Sequence, residues 1–213
     1  MSTTTFWLIR HGETQWNAER RLQGWRDIPL NETGLRQARQ LGQVLRPPHF
    51  THTIDVIVSS DLSRAHDTAR IASAHLALSI EACIPLRERN YGIYEGKNWA
   101  SLETLDGPAV NFHAPQWQIE QGESLLQFND RIVQAFETLA HAHSGRNVLV
   151  FAHGGVIDIV WRHASGASLE ARRPAPILNA SINQFSINAD STWALLDWGR
   201  VAHLNEAALD DVI

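Results

Sequence analysis

Phe6-Trp7-Leu8-Ile9-Arg10-His11-Gly12-Glu13-Thr14 is the stretch from which the fold can be read. Four apolar residues run unbroken into a cation, an imidazole and a glycine, the pattern of a buried strand emptying into a loop. Two later stretches repeat it: Ile54-Asp55-Val56-Ile57-Val58 leads into Ser59-Ser60-Asp61, and Val148-Leu149-Val150-Phe151 leads into Ala152-His153-Gly154-Gly155. Short β-branched runs, each followed by a helical pattern, are typical of strands buried on both faces of a mostly parallel sheet. In such sheets chemistry gathers at the C-terminal ends of the strands.

Helical stripes fill the intervals. Leu35, Ala38, Leu41 and Leu45 follow turn residues at 31–34, and Leu62, Ala65, Ala69 and Ala72 follow Ser60-Asp61. Ser124 and Gln127 form a capping box ahead of Leu125, Phe128, Ile132, Phe136 and Leu139. A short fourth helix is expected to start near Gly155, and 182–187 with 192–198 to close the fold as a hairpin about Asn188-Ala189-Asp190. Residues 92–122 hold glycine, proline and aromatics without a strong period, which makes them the candidate lid or insertion. Trp7, Trp161 and Trp193 read as core.

The chain has 213 residues, 44% of them hydrophobic, enough to bury one large core, so residues 1–213 are read as one domain. A formal net charge of -5 disfavours nucleic acid and anionic membrane as partners, and an anionic substrate would need a local cationic pocket. Cys83 is the one cysteine, the N-terminus lacks the pattern of a signal peptide, and no apolar run reaches membrane-spanning length. The setting expected is cytoplasmic. A small phosphorylated metabolite is the expected partner, for the reasons below, with a homodimer left open.

Three of these strand ends or helix starts deliver a cation or an imidazole: Arg10-His11-Gly12, Ser63-Arg64-Ala65 and Ala152-His153-Gly154. Phosphoryl transfer needs a nucleophile and dense positive charge around the equatorial oxygens, and two arginines with two histidines would supply both. Arginine suits the task because its planar fork donates to two phosphate oxygens and keeps its charge. Singly, each residue also has an ordinary reading: His11 as a capping or surface histidine, Arg64 as a solvated side chain, His153 as a satisfied histidine at a strand end. Co-occurrence shifts the balance. His141-Ala142-His143 has no carboxylate at ligand spacing and reads as helix surface, so no metal and no cofactor is expected.

Leu8-Ile9-Arg10-His11-Gly12-Glu13-Thr14, then Asn17, Gln23-Gly24 and Leu30-Asn31-Glu32-Thr33-Gly34, resemble the signature of the histidine phosphatase superfamily, in its phosphoglycerate mutase-like branch. The resemblance continues through Ser59-Ser60-Asp61-Leu62-Ser63-Arg64-Ala65, Leu86-Arg87-Glu88-Arg89-Asn90-Tyr91-Gly92 and Phe151-Ala152-His153-Gly154-Gly155, and reaches the Asn179-Ala180-Ser181 turn. It implies an α/β fold, a largely parallel six-stranded sheet with helices on both faces in a three-layer sandwich. It also implies roles: His11 the nucleophile, Arg10, Arg64 and His153 the phosphoryl-binding groups, Glu88 the proton donor. Asn17, Gln23 and Gly24 would add phosphate contacts, and Tyr91 and Trp99 would meet the rest of the substrate. Glu88 has a second reading as an ion-pair partner of Arg89 or Arg10. Glu13 is a family position without a role derivable from sequence.

Members of this branch either hydrolyse the phosphohistidine or return the phosphate to a sugar acid. Mutases of the family hold their substrate with a lysine and a tandem arginine from a longer insertion. Alignment on Glu88-Arg89-Asn90-Tyr91-Gly92 puts Trp99 at the lysine position, with Lys97 two residues earlier, and no arginine occurs between Arg89 and Arg131. The stretch offers Glu95, Glu103, Asp106, Glu120 and Glu123 instead. A second anionic group would be poorly compensated there. The expected activity is therefore a phosphatase, similar to broad-specificity and α-ribazole phosphatases, acting on a small monophosphate with a neutral or apolar remainder. A cofactor-dependent phosphoglycerate mutase is the alternative, and an inactive phosphate-binding module comes third.

Overall fold

Strand β1 (Thr3–Arg10) lies inside a six-stranded sheet, and the rest of the chain is arranged around it. The computed structural model describes residues 2–102, 110–173 and 175–210; of the acidic lid residues, Glu103 and Asp106 lie outside the described residues. After β1 come α1 (Gln15–Ala18), α2 (Glu32–Val44), β2 (Val56–Ser59), α3 (Ser63–Ala72) and β3 (Ile80–Ala82). They are followed by α4 (Trp99–Leu102), α5 (Leu125–Ala142), β4 (Asn147–Ala152), α6 (Gly154–Ser165), β5 (Ile182–Asn188) and β6 (Trp193–Arg200). The strand order is β3-β2-β4-β1-β5-β6. The β3-β2-β4-β1 pairings are parallel, and β5 and β6 continue antiparallel.

Side chains of β1 alternate between two cores, as the pleat requires. Phe6 and Leu8 join Val148 and Val150 of β4 under Phe128, Ile132 and Phe136 of α5 and Val156 and Val160 of α6. Trp7 and Ile9 join Ile57, Leu149 and Phe151 under Leu41 of α2 and Ala69 and Ala72 of α3. With both faces covered, the strands read as continuous apolar runs. A third, smaller cluster of Leu22, Tyr91, Leu102, Phe112 and Ile119 lies in and beside the lid, with Trp99 and Trp117 against it. Among the described residues, no helix is long and apolar enough to cross a membrane.

The hairpin and all four expected helices are present. Strand β2 starts at Val56, not Ile54, because Asp55 accepts from the Asn147 N–H (2.8 Å) and so anchors the strand's start with its side chain. Three elements escaped the periodicity: β3, three residues long and largely exposed, the single turn α1, which is capped reciprocally by Thr14 and Asn17, and the single turn α4 within the expected lid. Trp7 and Trp193 are core as expected, whereas Trp161 is only partly buried, near the guanidinium of Arg162.

Helix α5 begins as read from sequence: the Ser124 hydroxyl accepts from Gln127 N (3.1 Å) and the Gln127 side chain accepts from Ser124 N (2.9 Å). Ser124→Ala removes one side of the box and should cost about 1 kcal/mol. For a chain of this length that lowers the unfolding temperature by roughly 2–4 °C in thermal circular dichroism. An unchanged melt would mean that the cap contributes nothing net.

Candidate active site

The loop leaving β1 is fixed before it carries any chemistry. His11 N–H donates to Ala152 O (3.0 Å), extending the β1–β4 ladder by one residue. The His11 carbonyl accepts from Asn179 Nδ2 (3.0 Å) and Ala180 N (3.2 Å), which ties the loop to the turn before β5. Gly12 N–H donates to Thr68 Oγ1 of α3 (3.0 Å), and a Cβ on Gly12 would lie 2.6 Å from Gly34 O. Glu13 acquires a role here: its carboxylate accepts from Asn31 Nδ2 (2.8 Å) and its N–H donates to Gln37 Oε1 (2.8 Å), so it clamps the start of α2.

Within that frame the His11 Nδ1–H donates to the Gly12 carbonyl (2.7 Å), leaving Nε2 as the ring's lone-pair nitrogen. Burial, Arg64 and Arg10 hold the His11 imidazole well below its ordinary range against the opposing pull of that carbonyl. His153 lies 5.2 Å away, ring centre to ring centre, with Nε2 2.9 Å from Ser60 Oγ. Burial first, then Arg64, His11, Arg10 and Arg131, push it down likewise.

Both arginines are buried and oriented by main-chain oxygens. Arg64 donates to Gly24 O (2.8 Å) and Arg26 O (2.9 Å), and Arg10 Nη1 donates to Ile177 O (2.5 Å) and Leu209 O (3.0 Å). Burial lowers the Arg64 guanidinium to about 10, which leaves it charged at neutral pH. The side-chain oxygens of Asn17 and Gln23 each lie 3.0 Å from the Thr14 hydroxyl, which turns their amide NH₂ groups into the donors available to an anion.

Glu88 is buried, with Oε1 accepting from Arg89 N–H (2.8 Å) and Oε2 from Gly155 N–H at the start of α6 (3.1 Å). The Arg89 guanidinium donates to the carbonyls of Phe112 (2.6 Å) and Glu123 (3.3 Å). Trp25 Nε1 (2.8 Å) and Arg131 Nη2 (3.2 Å) both donate to the Glu88 carbonyl, and Arg131 is ion-paired to Glu123.

Arg10, His11, Asn17, Gln23, Gly24, Arg64, Glu88 and Tyr91 line one small pocket, with Arg21 and Leu22 completing its wall. His153 adjoins it through His11. Trp99 does not line it: its ring packs on Phe112 at 5.4 Å in the lid cluster, the better place for a large apolar surface. Glu95 was missed as a site residue. It accepts from Trp25 N–H (2.8 Å) and Tyr91 N–H (3.3 Å), and a Cβ on Gly24, whose φ is +53°, would lie 2.1 Å from its Oε1. Glu95 and Glu123 thus brace the pocket's own loops, where their charge alone suggested a barrier to anions. The glycine at 24 beside an acidic lid was the available signal.

A cleft of about 650 Å³ opens beside this pocket and shares Tyr91 with it. Phe112 and His113 of the lid line it together with Arg162, Arg172 and Arg173. The lid's lack of arginine therefore does not set the charge of the space next to the pocket at His11. Among the described residues, no group of three or more His, Cys, Asp or Glu is placed to hold a metal ion.

Two outcomes follow from this geometry. A Cβ at residue 155 would lie 2.3 Å from Glu88 Oε1 and 3.0 Å from Phe128, so Gly155→Ala should displace the carboxylate and lower kcat on the order of 10- to 100-fold. Full activity in the folded variant would mean that Glu88 has no positional demand. The second concerns pH. Unfolded histidines titrate near 6.5, whereas His11, His153, His113 and His203 titrate lower in the fold, His203 at about 4. The unfolded chain then binds the extra protons, so stability is full above about 6.5 and falls as pH drops from there. The unfolding temperature should be lower at pH 5.5 than at 7.5, with a shallower decline in His11→Asn; equal declines would remove His11 as a cause.

Sequence and fold are shared with known proteins. A metal-independent phosphoserine phosphatase of Arabidopsis thaliana is 36% identical over 93% of this chain and 82% of its own. A "Probable phosphoglycerate mutase GpmB" of Klebsiella pneumoniae is 35% identical over 97% of each chain. The solved structure of Bacillus stearothermophilus YhfR superposes with a TM-score of 0.81 at 29% identity, covering 94% of this chain and 98% of the other. The family model of the histidine phosphatase superfamily (branch 1) matches residues 6–200, and the chain belongs to that superfamily.

Proposed function

We propose that the chain is a phosphatase that hydrolyses a small phosphate monoester through a phosphohistidine on His11, with residues 1–213 acting as one three-layer domain in the cytoplasm and without a metal. The observation that carries this reading is the His11 imidazole, kept neutral between Arg10 and Arg64 with Nδ1–H on the Gly12 carbonyl. A neutral ring with a free Nε2 lone pair is a competent nucleophile, and the two guanidinium groups meet the charge that develops on the phosphoryl oxygens.

In the first half-reaction Nε2 attacks phosphorus, the P–O bond to the alcohol breaks, and Glu88 gives its proton to the departing oxygen. A water then attacks the phosphohistidine while the Glu88 carboxylate takes a proton from it, which releases phosphate and restores His11. His153 is neutral among the protein's own charges. A phosphate dianion beside it opposes the arginines' field and favours the imidazolium, so substrate binding brings a proton with it. Hydrolysis of a monoester is what the phosphoserine phosphatase relative's name describes, and the retention of both His11 and Glu88 supports turnover over binding alone.

A screen of phosphorylated metabolites for released phosphate is the direct test. His11→Ala should lower kcat by on the order of 1,000-fold or more while the fold persists. Quenching wild type with labelled substrate should give an acid-labile, alkali-stable phosphoprotein; label on serine or aspartate would sink the mechanism. Prolonged EDTA treatment should leave activity intact, and loss restored by one divalent ion would overturn the metal-free reading. A coupled assay with 3-phosphoglycerate and 2,3-bisphosphoglycerate separates hydrolysis from mutase activity.

A further inference from the structure

The cleft beside the phosphate pocket is the place for the alcohol part of the substrate, on the reading above. Glu88, the proton donor, rests on Gly155 N–H, and Gly155 lines the cleft, so the leaving oxygen departs on that side. At about 650 Å³ the space is within the range of sites that enclose a ligand of drug size, larger than a three-carbon acid needs.

Its charges are unevenly matched. Arg89, Arg162, Arg172 and Arg173 line it against Asp158, Glu170 and Asp210. Arg162 is spent on Asp158 (2.6 Å) and on the carbonyls of Ser168 and Ala171 (2.7 Å each). Arg173 reaches Asp210 only at 3.4 Å, and Asp210 also accepts from Ile177 N–H (2.7 Å). Of the guanidinium nitrogens lining the cleft, Arg89 Nη2 and Arg173 Nη1 are buried without a hydrogen-bond partner among the described residues. A buried, unmet cationic donor is costly unless an acceptor arrives. His113 registers the same field: burial, Arg162, Arg89 and Arg173 lower it against the pull of Asp158.

The geometry points to a second anionic group on the substrate: the cleft binds an alcohol moiety of ring size that carries a carboxylate or a further phosphate, seated on Arg173 and Arg89. This reverses the preference for a neutral remainder that the lid composition suggests, because the deciding cations come from Arg89 and from residues 162–173, on segments outside the lid.

Three aryl esters with similar leaving oxygens make the test: phenyl phosphate, (4-phosphonooxy)phenylacetate and 1,4-phenylene bisphosphate. The wild-type protein should favour one or both anionic esters over phenyl phosphate by about 10-fold in kcat/KM, mostly through KM. Which of the two leads identifies the acid. Arg173→Ala should reduce the ratio to within about 2-fold, and Arg173→Lys should keep part of it. Equal or lower kcat/KM for both anionic esters in wild type overturns the proposal and leaves the phosphatase reading standing. A second measurement needs no turnover: 4-hydroxyphenylacetate, the alcohol alone, should raise the pKa of the His113 imidazole followed by NMR, since a bound carboxylate opposes the arginines. An unmoved His113 at saturating ligand counts against the site whether or not any ester is hydrolysed. A shifted His113 with no hydrolysis of any ester upholds the anion site while the phosphatase reading falls.

Discussion

Two guanidinium groups are buried at one end of a single sheet, and much of the site follows from the need to keep them there. A buried charge is tolerated only when its donors are met. Arg64 is met by the carbonyls of Gly24 and Arg26, and Arg10 by those of Ile177 and Leu209. Carbonyls orient a guanidinium without neutralising it, which keeps the full charge for a phosphoryl group. The segments that supply those oxygens must then pass close by, and Gly24 takes a left-handed conformation tight against Glu95 to do so.

The same cations determine the state of the two imidazoles. Desolvation and positive neighbours act in one direction on His11 and His153 alike. The rings differ in their fixed partners: His11 is tied to a carbonyl, which commits its Nδ1 as a donor, whereas His153 faces a hydroxyl, which accepts or donates. One ring is thereby held in a single tautomer, and the other is free to change its protonation with the charge of what is bound.

Much of the fold and of the pocket at His11 was legible because both are written in short continuous stretches. Buried parallel strands announce themselves as apolar runs, and Arg10, His11, Arg64 and His153 follow where those runs stop, while Glu88 was named from the resemblance alone. What stayed hidden depends on partners distant along the chain. Strand β3 is too short and exposed for a period to register. Glu95 gives no local sign that it will bridge Trp25 and Tyr91. Trp99 occupied an aligned position but found a better apolar contact in Phe112. Of the arginines of the cleft, Arg89 falls in a motif block, whereas Arg162 lies on α6 and Arg172 and Arg173 follow it, where the composition of the lid says nothing about them.

Arg10 and Leu209 are 199 residues apart in the chain and bonded in the fold. The core strands are all in place by β6, yet one of the carbonyls that orient Arg10 belongs to a segment made afterwards. The hydrophobic interior and the orientation of Arg10 are thus carried by different segments, so a change confined to 201–210 reaches the groove at Arg10 without touching a core strand.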